Sequence, residues 1–182
     1  MAKKIVIKKT GKKGKGVFAL KNIKKGEIVL RKDLTRLKRY SLKEISRNPK
    51  LKKLGEHCDY AGNGKYVIDF SPASYVNHSC NPNSYVEFKT LGKAKYIAKR
   101  DIKKGEEITV DYTLGAVDQI RGAYPRYQIH YWKMKCRCGS KNCRKIVRGD
   151  FFKLPKKVQL QKLPYLPTWT KRRYSKRISK AL

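Results

Sequence analysis

Three of the five cysteines crowd into one stretch near the end of the chain, Cys136, Cys138 and Cys143, in a C-x-C-x4-C arrangement. A disulfide framework accounts for them poorly. The total is odd, and cysteines this close together suit a metal better than a set of bridges. Tetrahedral Zn²⁺ takes four soft ligands, so the cluster needs one more thiolate from elsewhere. Cys80 can supply it from the segment Asn77-His78-Ser79-Cys80-Asn81-Pro82-Asn83. Such a site ties the end of the chain to its middle, with Glu106 to Tyr112 between the tied points. Left as surface thiols on a basic loop, the same cysteines would oxidise. The fifth, Cys58, stands beside His57 and reads as local packing, and His130 carries no signal by itself.

At 182 residues and 40% hydrophobic content the chain is long enough for one domain with one core. No apolar run approaches the ~20 residues of a membrane span, and Met-Ala-Lys-Lys does not open a signal peptide. The expected setting is therefore intracellular and reducing, with no membrane partner: cytoplasmic in a prokaryote, cytoplasmic or nuclear in a eukaryote. Lys and Arg number 47 against 13 Asp and Glu, a formal charge of +34. Such a field attracts polyanions, so nucleic acid, a ribonucleoprotein or an acidic protein face are candidate partners. The plainer alternative is lysine used as a solubilising surface residue. After Phe152 the composition shifts: Pro155, Pro164 and Pro167 punctuate a basic run. Lys171, Arg172, Arg173, Lys176, Arg177 and Lys180 then follow without an acid. That end reads as a docking or disordered arm, with Tyr174 available to stack on a base.

The pattern along the chain is mainly β with short helices. Lys3 to Lys9 alternates around Ile5 and Ile7 and predicts a strand. Val17 to Leu20 and Ile28 to Leu30 predict two more, joined through Asn22-Ile23-Lys24-Lys25-Gly26-Glu27 as a hairpin turn. The phrase returns as Ile102-Lys103-Lys104-Gly105-Glu106, too short to be a repeat unit. Leu34 to Leu54 is the best helical stretch, broken near Asn48-Pro49. Tyr66 to Phe70 predicts a strand, Ser84 to Phe88 with Lys95 to Ala98 a hairpin, and Glu107 to Tyr112 the last strong strand. Tyr124 to Met134, with Tyr127, Tyr131 and Trp132, suggests a short helix or covering segment.

Gly14-Lys15-Gly16, the NHSCNPN segment, Gly105-Glu106-Glu107-Ile108-Thr109-Val110-Asp111-Tyr112 and the C-x-C-x4-C cluster follow one another in that order. Together they resemble the SET-domain protein lysine methyltransferases with a post-SET zinc motif, over roughly residues 8 to 149. The two-glycine turn alone would be weak, whereas NHSCNPN and the tyrosine-ended acidic phrase are specific. The resemblance implies a β-clip fold with a knot-like threaded core (1–134), a post-SET zinc segment (135–153) and the basic arm (154–182). It also implies S-adenosylmethionine as cofactor and a protein lysine as acceptor. Tyr112 would be catalytic; Lys15, Gly16, Val17, Asn77, His78 and Tyr112 would bind the cofactor. Cys80, Cys136, Cys138 and Cys143 would hold the zinc.

The chemistry fits these residue types. Methyl transfer from a sulfonium to an amine is a direct displacement, so the enzyme mainly aligns the reactants and excludes water. The amine must be neutral, and desolvation beside a cation pushes a lysine pKa down. Two positions depart from the family pattern. Lys15 stands where an aromatic residue is frequent, and Val110 where Phe or Tyr governs how many methyls are added, so the product degree is left open. A catalytically silent basic module that binds nucleic acid is the alternative, although it would need neither Tyr112 nor Asn77. A zinc ribbon would need a second ligand knuckle, and the sequence has none.

Overall fold

The structure, a computed structural model, describes residues 3–11, 14–90, 92–116, 133–149 and 151–179. Most of the expectation for Tyr124 to Met134 lies outside them, Tyr127, Tyr131 and Trp132 included. Short strands dominate. β1 (Ile5–Lys9) and β2 (Lys15–Ala19) form an antiparallel hairpin. β3 (Ile28–Asp33) pairs with β9 (Lys93–Ala98), which pairs with β8 (Ser84–Thr90). β4 (Tyr40–Ser41), β5 (Cys58–Gly62) and β6 (Lys65–Ile68) make a third small sheet. The Gly62-Asn63-Gly64 turn between β5 and β6 holds three successive residues at positive φ, 91°, 50° and 67°. β7 (Asn77–His78) runs parallel to β10 (Thr109–Val110), and β11 (Lys133–Lys135) pairs with β12 (Ile146–Arg148).

The two lysine-glycine phrases do not make the expected hairpin between β2 and β3, which lie in different sheets. They pair with each other. The Ile23 and Ile102 amides donate to one another's carbonyls at 2.9 and 2.8 Å. Each turn closes on its own glutamate: Lys24 N–H donates to Glu27 Oε1 at 3.1 Å and Lys103 N–H to Glu106 Oε2 at 3.2 Å. Gly26, at φ 84°, donates to Ala98, and Gly105, at φ 83°, donates to Ala19. Asp101 receives the Lys25 amide and Asn22 receives the Lys104 amide. The echo is a local two-fold, each copy completing the other's backbone hydrogen bonds. Ile23 and Ile102 are fully buried in the main core, with Val17, Ile108 and Val76.

The helical stretch is shorter than its apolar spacing suggested. α1 (Leu42–Arg47) begins at a capping box in which Ser41 accepts from the Glu44 amide and Glu44 accepts from the Ser41 amide. Asn48 ends it and caps α2 (Pro49–Lys53), so Asn48-Pro49 is the break. Leu34 and Leu37 lie outside both helices and pack with Ala61 and Val67 in a satellite core.

Beyond the cysteines the described residues 151–179 are folded, which corrects the expectation of a disordered arm and leaves docking as a proposal. Lys156–Lys162, Thr168–Arg173 and Ser175–Ser179 are helical. The alternation of prolines with apolar residues has a packing purpose. Phe151, Leu154 and Leu166 are buried against Leu114, in the short helix α3 (Tyr112–Ala116). Tyr165 packs on Tyr85 and Trp169 on Phe88, both of β8, with ring centroids 5.1 and 5.5 Å apart. Among the described residues, no helix is long and apolar enough to cross a membrane.

Candidate active site and metal centre

The parallel β7–β10 pair sets the geometry, with Asn77 opposite Thr109 and Val110 opposite His78. Parallel strands need a crossover, and the turn into β8 finishes what two residues of pairing begin. Asn83, 2% exposed, accepts from the Thr109 amide at 2.9 Å and donates to the Glu107 carbonyl at 2.8 Å. Its side-chain amide thus substitutes for a strand residue, which explains the last Asn of NHSCNPN.

Asn77 donates to the Lys15 carbonyl at 3.0 Å and to Glu107 Oε1 at 2.7 Å. This brings the glycine turn, the Asn-His segment and the acidic phrase to one point. A Cβ on Gly16 would stand 2.5 Å from Thr10 Cγ2, 2.8 Å from Glu107 Oε1 and 2.9 Å from Asn77 Nδ2, so any other residue would force these side chains apart. Val17 is fully buried and its carbonyl accepts the Ile108 amide at 2.7 Å. Lys15 places Nζ 5.7 Å from the centre of the Tyr75 ring, so an aromatic face does border this turn, from another segment. Glu107 was not singled out from sequence; the doubled acid after Gly105 was its only trace.

Tyr112 follows β10 and is half-buried. Its hydroxyl donates to the Val76 carbonyl at 2.8 Å, and burial, with Tyr96 and Glu107 nearby, pushes its pKa up to about 12. The hydroxyl is therefore a neutral group at physiological pH, its proton committed and its lone pairs held in a fixed direction. Val110 is buried in the core, Tyr75 packs beside that core, and Tyr85 is engaged with Tyr165.

His78 has a defined tautomer. Its Nδ1 accepts the Tyr112 amide at 3.2 Å, so the proton sits on Nε2, 3.3 Å from Cys80 Sγ. His78 Nδ1 also lies 3.7 Å from Asp111 Oδ1. One histidine thus links the tyrosine backbone to the cysteine cluster.

The Sγ atoms of Cys80, Cys136, Cys138 and Cys143 all lie within 4.8 Å of one another. Zn–S bonds near 2.3 Å in a tetrahedron put sulfurs about 3.8 Å apart, and Cys80 and Cys136 are separated by 3.8 Å. Cys80 Sγ also receives the Arg144 amide at 3.3 Å and lies 3.3 Å from His78 Nε2, while burial pushes its thiol up from the ordinary value. Burial opposes ionisation of Cys138, but donors from Cys80 and Ser140 outweigh it and bring the thiol down to about 6. Burial pushes Cys136 up to about 12, so a divalent cation is what would let all four ionise together. The donor set fits Zn²⁺. Cys58 lies outside the cluster, its thiol pushed up to about 11 by burial.

Asp111, beside Tyr112, is wholly buried. Arg144 grips it with two nitrogens at 2.8 and 2.7 Å, and Lys162 Nζ adds a third contact at 2.5 Å. Burial would raise its pKa, but these cations prevail and hold it near about 2. Sequence reasoning missed all three residues, because nothing local relates Asp111 to Lys162.

The SET domain family model matches residues 14–113. Human histone-lysine N-methyltransferase 2D is 39% identical over 90 residues, covering 46% of this chain and 1% of that protein. The trithorax histone-lysine N-methyltransferase of Drosophila virilis is 31% identical over 147 residues, 72% of this chain and 3% of that protein. The H3 lysine-36 specific enzyme of Debaryomyces hansenii is 42% identical over 82 residues, 43% of this chain and 10% of that protein. A Plasmodium falciparum crystal structure described as a histone methyltransferase is 28% identical, covers 62% of this chain and 95% of that one, and has a TM-score of 0.46. The chain spans a tenth or less of the three relatives' own length. With its family match over more than half of its residues, the chain belongs to the SET-domain family.

Proposed function

We propose that this chain transfers a methyl group from S-adenosylmethionine to the side-chain amine of a lysine in a protein substrate. The observation that carries the reading is the convergence of Lys15–Gly16, Asn77–His78 and Tyr112 on the β7–β10 pair. When bound, S-adenosylmethionine supplies the activated sulfonium methyl. The Lys15–Gly16 backbone, Asn77 and the neighbouring Glu107 offer carbonyl, amide and carboxylate groups to the cofactor's ammonium and carboxylate. Tyr112 donates its proton to the Val76 carbonyl, so its oxygen would act as an acceptor for the substrate amine and aim the nitrogen lone pair. The apolar surround of Val76 and Val110 favours the neutral amine by desolvation. Cys80, Cys136, Cys138 and Cys143 would hold one structural Zn²⁺ that fixes the loop closing over this site.

Incubating the purified chain with methyl-labelled cofactor and a cell extract, followed by mass spectrometry, tests the reading. Labelled lysines are expected, and Asn77→Ala should bind the cofactor more weakly in a calorimetric titration. Cofactor binding without any labelled protein would favour the silent module instead.

The basic surface supports a second partner of another class, nucleic acid. Arg172, Arg173, Lys176 and Arg177 are all exposed on the last two helices. Arg177 also stacks 4.2 Å from the Phe152 ring. Because this segment is packed, charge removal is a cleaner test than truncation. Arg172→Ser with Lys176→Ser should lower duplex affinity and flatten its salt slope, since fewer counterions are released. Identical slopes would leave the lysines and arginines as solubilising surface.

A further inference from the structure

Asp111 needs one cation to be neutralised and holds two. The fork of Arg144 already satisfies both carboxylate oxygens, and it also reaches Thr113 Oγ1 at 3.2 Å. Lys162 is nevertheless drawn down to the same carboxylate, with only 11% of its side chain exposed. Burying a second ammonium gives up hydration that its pairing must offset, so its placement calls for a reason beyond pairing Asp111.

The reason lies in what Lys162 joins. It ends the Lys156–Lys162 helix, and the segment around that helix is fastened at two places. Phe151, Leu154 and Leu166 pack on Leu114, two residues beyond Tyr112 in the same short helix. Tyr165 and Trp169 rest on Tyr85 and Phe88, and Lys99 of the next turn lies 4.7 Å over the Tyr165 ring. The segment is thus braced on β8 and Lys99 at one end and reaches the Asp111 carboxylate at the other. The backbone that Asp111 shares with Tyr112 is also held by His78, which accepts the Tyr112 amide at 3.2 Å.

We propose that Lys162 is a positioning residue for Tyr112: it latches the C-terminal helices onto Asp111 and so fixes the direction of the tyrosine hydroxyl. The inference rests on the methyl-transfer reading above. Lys162 does not touch the reacting groups. It acts through Asp111 and the backbone that Asp111 shares with Tyr112, so its loss should be felt in turnover more than in binding.

The test uses the full chain and a peptide found by the labelling experiment, with Lys162→Met, Lys162→Gln and Lys162→Arg. Lys162→Met should lower kcat by on the order of tenfold, within what small misplacements cost, while KM for peptide and cofactor moves less than about twofold by the same reasoning. Lys162→Arg should recover more of the kcat than Lys162→Gln, since it restores the charge. Amide exchange should quicken in 109–116 and not in β1–β2. If Lys162→Met does not fold, Lys162→Gln against Lys162→Arg carries the comparison. A parental kcat in both Lys162→Met and Lys162→Gln overturns the proposal, as does a loss matched by faster exchange throughout the chain. A parent chain that transfers no methyl would instead defeat the methyl-transfer reading itself.

Discussion

Tyr112 stands between two flanks that are built differently. On one side Asn77 and His78 are held by pairing with β10, which Asn83 braces through Thr109 and Glu107, and Asn77 donates to the Lys15 carbonyl. On the other side the 133–149 loop has a two-strand hairpin and otherwise leans on side chains: four cysteines and Arg144 on Asp111. The first flank is preformed by the fold. The second is conditional on what the sulfurs hold. A site assembled this way can keep its Asn77–His78 side intact while its 133–149 side loosens.

Metal removal should break the comparison most visibly. Structural zinc sites are worth about 10 kcal/mol of apparent binding. The native chain should carry close to one Zn²⁺, and chelation should expose the 133–149 amides to exchange while Asn77, His78 and Val110 stay protected. Equal exposure of both flanks would show that they are one unit. Cys80→Ser should lower the zinc content as much as Cys138→Ser does; full zinc in Cys80→Ser would disconnect the middle of the chain from its end.

Next in size is Tyr112→Phe, which removes the hydroxyl and leaves both flanks standing. Methyl transfer should fall by about 100-fold, the scale associated with a mispositioned reactant, with cofactor affinity and melting temperature nearly unchanged. Parental activity in this variant would end the assigned role.

Asp111 belongs to both flanks, and its pH dependence sharpens where they join. Its carboxyl is held near about 2 in the fold, below the ~3.9 of an unfolded Asp. The stabilisation is therefore complete above about pH 4 and disappears as pH falls toward 2, a loss of about 2 kcal/mol by linkage. Asp111→Asn should be less stable at neutral pH and lack that part of the acid slope. An unchanged acid limb in urea titrations would mean that the carboxylate is not held as described.

The smallest effect is confined to the preformed flank. Gly16→Ala forces apart Thr10, Glu107 and Asn77 and should cost roughly 1–3 kcal/mol as overpacking. It should weaken cofactor binding without loss of zinc. Tight binding in Gly16→Ala would show that the turn yields without disturbing Asn77.

Most of this site was legible because its parts carry local signatures. A cysteine triplet, a glycine turn and a tyrosine after a β-rich acidic phrase can each be recognised without knowing the fold. The relations among them were less visible. Lys162 and Asp111 meet only through tertiary packing, and no periodicity links them. The C-terminal helices were read as an arm because their charges dominate the composition, yet Phe151, Leu154 and Leu166 were enough to seat them. The paired turns at Ile23 and Ile102 were visible as words but not as partners: each phrase is too short to bury itself, and only the other copy satisfies its backbone.

That pairing has a consequence for how the chain is made. Besides β1, β2 meets backbone partners at Gly105, Glu106 and Ile108, so the core cannot close until the chain has been made as far as Ile108. Until then Val17, Ile23 and Val29 are exposed on a growing chain, the state in which aggregation competes with folding. The excess of lysine and arginine repels one nascent copy from another during that wait.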